Sequence, residues 1–142
     1  MANIFISYAT VDYELIQVEV VGMLKALGFE VWIAPADIRS SENWEESIRV
    51  GLESADWFLV VVSAHSIAST WVKMEVASAL KLLPDRIIPL VIDQSDVKDL
   101  DNKLSTLQAL DFGTDRPQAM QKLVKLLVDS EYRGLRRDIG GP

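Results

Sequence analysis

Trp57-Phe58-Leu59-Val60-Val61-Val62 is an apolar run that stops at Ser63, and Trp71-Val72-Lys73-Met74-Glu75 follows a short way downstream. An apolar run of that length with no polar alternation reads as a strand buried on both faces. A buried strand that runs out into a loop and then a helix is where α/β proteins place their chemistry. On that helix Trp71 and Glu75 are four apart, so they share one face, about 6 Å apart along the axis. A flat ring beside a carboxylate suits a ligand with a flat group and a developing positive charge.

Similar units lie on either side. Ile4-Phe5-Ile6 predicts a short first strand, ended by Ser7-Tyr8-Ala9-Thr10. Ile16, Val20, Met23, Leu24 and Leu27 then recur at helical spacing, and Gly28 sits where a C-terminal cap belongs. Glu30 to Ile33 reads as a second strand, stopped near Pro35, and Ala36 to Asn43 as a polar loop. Asn43 with Glu46 resembles a capping box for a helix that turns Trp44, Ile48 and Leu52 inward. The third helix is expected from about Trp71 to Leu83 and the fourth strand from Ile87 to Ile92. Pro89 removes a ladder donor from that strand, which points to an outer strand or a bulge. Asp93 to Thr106 reads as a loop with a short helix, and Leu107 to Phe112 as a brief fifth strand. A last helix after Pro117 turns Met120, Leu123, Val124, Leu127 and Val128 inward.

Five strand–helix units in alternation predict an α/β, flavodoxin-like three-layer sandwich. Its five-stranded, mainly parallel sheet has the order 2-1-3-4-5, with helices on both faces. Strands one and three then meet at the topological switch point, with Ser7-Tyr8 and Ser63-Ala64 at their carboxyl ends. The crevice there is the expected ligand site. One domain is expected over residues 1–132, with 133–142 as a flexible C-terminal tail.

Bulk composition narrows the function classes. The chain has 142 residues, 49% of them hydrophobic, which suits one domain with a real core. Lys+Arg is 14 against 21 Asp+Glu, a net charge of −7. That balance argues against a nucleic-acid or acidic-membrane partner, because phosphate binding is driven by clustered Lys and Arg. With no cysteine and only His65, there is no thiol nucleophile and no Cys- or His-cluster metal site. The N-terminus has no signal-like pattern, and no apolar run approaches the ~20 residues of a membrane span. A soluble cytoplasmic protein is expected.

The motifs in order resemble a known family. Phe5-Ile6-Ser7-Tyr8 with Asp12 looks like the first box of the Toll/interleukin-1 receptor (TIR) domains, and Ala36 to Trp44 like the second. Ser66, Trp71 and Glu75 look like the region holding the glutamate of the bacterial, NAD-cleaving branch, and Asp111-Phe112 echoes the third box. The match covers roughly residues 3 to 130. In one departure, Ser40-Ser41 stand where the second box usually carries Pro-Gly, so that loop is expected to take another path.

The resemblance implies an NAD⁺ glycohydrolase or cyclase that releases nicotinamide and linear or cyclic ADP-ribose for signalling or defence. NAD⁺ would be the substrate, with no resident cofactor and no metal. It implies Glu75 as the catalytic residue and Ser7, Tyr8, Arg39 and Trp71 as substrate-binding residues. Other TIR domains would be partners in an active homo-oligomer, and an effector would sense the product. The chemistry fits one carboxylate. Nicotinamide is already cationic in NAD⁺ and leaves neutral without an acid, while positive charge gathers on the ribose.

Each residue also has a plain structural reading. Glu75 reads as a solvated helix residue and Trp71 as packing. Ser7 reads as a chain-turning hydroxyl, Tyr8 as a half-buried ring, and Arg39 as a loop charge. Asp12 reads as favouring the first helix's N-terminus. A non-catalytic TIR adaptor acting through self-association is the alternative function. A nucleoside deoxyribosyltransferase-like enzyme stays possible on the same sheet. A phospho-receiver is rejected because Ser7-Tyr8 and Ser63 stand where its acids belong.

Overall fold

The computed structural model describes residues 2–33 and 44–140, the side chains of 44 and 131–140 excepted. Arg39, Ser40-Ser41 and the Asn43 cap lie outside the described residues.

Five strands form: β1 (Asn3–Ser7), β2 (Glu30–Trp32), β3 (Trp57–Val62), β4 (Ile87–Val91) and β5 (Leu110–Asp111). They pair in the order β2-β1-β3-β4-β5, every pair parallel. This is the predicted flavodoxin-like sheet.

Side chains along each strand alternate between two helical layers. Ile4, Ile6, Leu59, Val61 and Leu90 face one layer, against Ile16, Val20, Leu24, Leu123 and Leu127. Phe5, Phe58, Val60 and Val62 face the other, against Ile48, Leu52, Val72, Val76 and Ala79. Helices α1 (Tyr13–Ile16), α2 (Gly22–Ala26) and α7 (Arg116–Gly140) serve the first layer. Helices α3 (Trp44–Ser54) and α5 (Thr70–Leu82) serve the second. Short helices α4 (Ala64–Ile67) and α6 (Val97–Leu100) sit in the connections.

Several boundaries have local causes. A π turn at Gln17–Val21 joins α1 to α2, and its extra residue shifts the helix phase. Val21 is therefore buried, while Met23 and Leu27, expected inward, are exposed. Gly28 ends α2 at φ 95°. Its N–H bonds the Lys25 carbonyl and the Phe29 N–H bonds the Leu24 carbonyl, both at 3.0 Å. That is the Schellman pattern, with Phe29 and Leu24 both buried beside it.

Pro89 corrects one expectation: β4 lies inside the sheet, between β3 and β5, with Val60 opposite Pro89. Phe58 N–H bonds the Arg86 carbonyl and Ile92 N–H bonds the Val62 carbonyl. Even-numbered residues of β4 therefore turn their backbone groups to β3, and Pro89 turns to β5. Pairing with β5 begins only at Leu90, so the missing donor faces no ladder partner.

At the C-terminus, Leu123 and Leu127 are buried as expected but Val128 is exposed. The backbone of α7 stays helical to Gly140, past the residue where the sequence reading ends the domain. Gly134 alone does not stop a helix, since its cost there is only about 1 kcal/mol. Among the described residues no helix is long and apolar enough to cross a membrane.

Candidate active site

Ser7 ends β1 with the parity of Phe5, so its side chain points to the layer that holds α5. Glu75 lies on α5 among Val72, Val76 and Ala79, which pack on the same sheet face. The two meet: Ser7 Oγ donates to Glu75 Oε1 at 3.0 Å. Ser7 is 0% and Glu75 1% exposed. The reading of Glu75 as a solvated helix residue is therefore wrong. Desolvating a carboxylate is costly without hydrogen bonds, so its inward placement needs the Ser7 donor.

Trp71 is half-buried in the first turn of α5, one turn before Glu75, as the four-residue spacing predicts. Ser69 caps that helix by accepting from the Val72 N–H at 3.2 Å. Tyr8 follows Ser7 with opposite parity. Its ring packs into the first layer, 6.0 Å from the ring of Tyr13, on the other face of the sheet from Glu75. Arg39 lies outside the described residues.

Two residues with no catalytic weight in the sequence pair at the same carboxyl end of the sheet. Asp12 sits at the N-terminus of α1 but makes no side-chain cap there. Its Oδ2 instead accepts from Ser63 Oγ at 2.7 Å, with Asp12 8% and Ser63 1% exposed. Ser63 and Ser66 form a capping box that starts α4. The Ser66 N–H donates to Ser63 Oγ at 3.1 Å and the Ser63 N–H donates to Ser66 Oγ at 2.8 Å. The sequence signal was Ser63-x-x-Ser66 directly after a buried strand, with serine at the position usually held by Glu or Gln.

Asp93, just after β4, accepts from the Ala64 N–H at 2.9 Å and the Ser95 N–H at 2.8 Å. Desolvation pushes its carboxyl upward. The hydrogen bonds from Ser95 and Ala64, with the nearby His65 charge, outweigh that and hold it below its ordinary 3.8. A carboxyl lowered in the folded state stabilises above its unfolded pKa and loses that contribution as pH falls through the folded one. Thermal midpoints of the parent should therefore exceed those of Asp93→Asn at neutral pH. The gap should begin to narrow as pH falls below about 4 and the carboxyl takes up its proton; a gap that is the same at neutral and strongly acid pH contradicts this role.

Two cavities do not have Glu75 in their walls. One of about 610 Å³ runs between β2 and α3, past Trp32, Val50 and Gly51. Another, of about 410 Å³, opens beside Asp93 and Asp111 at the ends of β4 and β5.

The family model of the TIR domain matches residues 4–127. The chain belongs to the TIR domain family. It is 27% identical over 73 residues to a Bacteroides thetaiotaomicron protein named 2′ cyclic ADP-D-ribose synthase BtTIR. That match covers 51% of this chain and 25% of the relative, so the chain spans about a quarter of the relative's length.

Two solved structures share the TIR fold. The TIR domain of the Toll-related receptor TRR-2 from Hydra magnipapillata superposes with a TM-score of 0.72 at 20% identity, covering 88% of this chain and 97% of that one. The TIR domains of the activated Roq1 resistosome, which directly recognises the pathogen effector XopQ, superpose with a TM-score of 0.63 at 14% identity. They cover 89% of this chain and 99% of that one.

Proposed function

We propose that this TIR domain is an NAD⁺ nucleosidase that breaks the nicotinamide–ribose bond and releases nicotinamide and ADP-ribose, linear or cyclic, for signalling or defence. The observation that carries this reading is Glu75, an acid turned inward at the switch-point crevice and held by Ser7 Oγ at 3.0 Å. Family membership and the name of the Bacteroides relative support the same chemistry.

In the reaction, the bond between the anomeric carbon and the pyridinium nitrogen breaks, and its electron pair leaves with neutral nicotinamide. Positive charge grows on the ribose, and the Glu75 carboxylate stabilises it. Water, or an oxygen or nitrogen of the same nucleotide, then attacks that carbon and loses its proton. Trp71 offers an aromatic face to the nicotinamide cation, a contact worth about 0.5–2 kcal/mol. Ser7 and Arg39 are assigned to the ribose and the diphosphate, whereas the Tyr8 ring, packed on the other face of the sheet, is not.

Because Glu75 is 1% exposed, cleavage calls for an opening of the crevice, and we assign that step to self-association with other TIR domains. An effector that senses the product would act downstream. Nicotinamide released from NAD⁺ by the purified chain should then rise faster than linearly with protein concentration. Proportional release over a hundredfold range would remove the assembly step, and no release at any concentration would remove the enzyme.

The burial of Glu75 also favours a second reading. In it the Ser7–Glu75 bond only ties the sheet to α5, and the domain is an interaction module without catalysis. Zero release by a protein that self-associates is the outcome that module predicts.

A further inference from the structure

Two buried hydroxyl–carboxylate bonds join the β1 and β3 segments, and they cross. On one face of the sheet, Ser7 at the end of β1 donates to Glu75, which lies beyond β3. On the other face, Ser63 at the end of β3 donates to Asp12, which lies beyond β1. Ser63 carries one hydroxyl proton, and giving it to Asp12 leaves its oxygen to accept the Ser66 N–H at 3.1 Å. The acceptor on Asp12 thus fixes the rotation of the hydroxyl that starts α4.

From there the chain is short and fully hydrogen-bonded. The Ser66 carbonyl takes the Ser69 N–H at 3.0 Å, and Ser69 Oγ takes the Val72 N–H. Glu75 lies on the next turn of the helix that Ser69 starts. We propose that Asp12 and Ser63 are positioning residues, holding α5 so that Glu75 stays in register with Ser7. The proposal rests on the reading of Glu75 as the catalytic acid only for its effect on turnover. The coupling of Asp12 to α5 stands apart from that reading.

The test compares the full chain with Asp12→Ala, which removes the acceptor, and Asp12→Asn, which keeps an oxygen for Ser63 Oγ. Turnover and amide hydrogen exchange are both read. Asp12→Ala should lower kcat for NAD⁺ by about tenfold or more, with KM moving far less, because misplacement by an ångström strongly slows a reaction that depends on orientation. The Ser66 and Val72 amides should exchange faster, while those of β4 stay protected. Asp12→Asn should restore both readouts. Adding Ser63→Ala to Asp12→Ala should lower kcat little further, since both break the same bond, while the Ser66 amide, which then loses its acceptor, should exchange faster still.

An Asp12→Ala protein with the parent's kcat and exchange pattern overturns the proposal, as does a deficit that Asp12→Asn leaves in place. Should Asp12→Ala fail to fold, Ser63→Ala removes the donor of the same bond and carries both readouts. If the parent releases no nicotinamide, the proposed function fails. The exchange comparison then decides the coupling by itself.

Discussion

Glu75→Gln is expected to lower nicotinamide release from NAD⁺ by about 10²–10³, the loss typical when one preorganised group facing a developing charge is removed. Glutamine keeps the size of the side chain and an oxygen that accepts from Ser7 Oγ, so the 3.0 Å link has a replacement. What disappears is the negative charge. A neutral amide among Val72, Val76 and Ala79 avoids the cost of a desolvated carboxylate, so the fold should hold with undiminished stability. A large fall in rate beside an unchanged melting curve separates chemistry from structure. Glu75→Ala is less clean. It strands the buried Ser7 hydroxyl, at a cost of about 1–3 kcal/mol, and confounds the two effects. Parent-like release by Glu75→Gln removes Glu75 from the mechanism.

Phe5→Ala is expected to destabilise the domain by about 3–5 kcal/mol. Phe5 is 0% exposed, with its ring centroid 4.6 Å from that of Trp32 and 5.4 Å from that of Phe58. Helix α3 comes so close that a β carbon on Gly51 would lie 3.1 Å from the Phe5 ring. The α3 backbone at Gly51 and the Trp32 and Phe58 rings packed around Phe5 collapse little into the space it leaves, which puts the cost near the top of the range. Domain stabilities are only about 5–15 kcal/mol, so the urea midpoint should drop sharply with little change in slope. Ser7 stands two residues further along on the same face, so release of nicotinamide should fall as well. A destabilisation below about 1 kcal/mol would contradict this account of the second layer.

The sheet was legible because its strands are buried on both faces and read as plain apolar runs. Residues Trp57 to Val62 and Ile87 to Val91 are the clear cases. Their order followed from the alternation with helices and the short connections. Pro89 misled because a missing donor signals an edge only if it faces a neighbour. In β4 it faces the side where the two-residue β5 has not yet begun. The inward face of the first helix was blurred by a π turn, which shifts the phase and is marked in the sequence only by Gly22 at its end. Val128 was read inward from spacing alone, whereas among the described side chains of α7 the buried stripe is Ala119, Leu123 and Leu127, with Met120 and Leu126 packed beside it.

The site was legible in part for a related reason. Glu75 and Trp71 could be placed on one helix face by counting, and strand parity puts Ser7 opposite Glu75. The same parity sends Tyr8 to the other layer, a consequence that the motif alone hides. Asp12 was read along its own helix, where an acid near the N-terminus has a ready explanation. Its partner Ser63 is 51 positions away, and nothing local in either segment names the other.

The proposed role of the Glu75 carboxylate in cleaving NAD⁺ has a direct test. The most direct measurement is nicotinamide released by the parent and by Glu75→Gln, side by side, at equal concentrations of folded protein. Release by the parent that falls by two orders of magnitude or more in the variant is the predicted result. Equal release by the two proteins would contradict it.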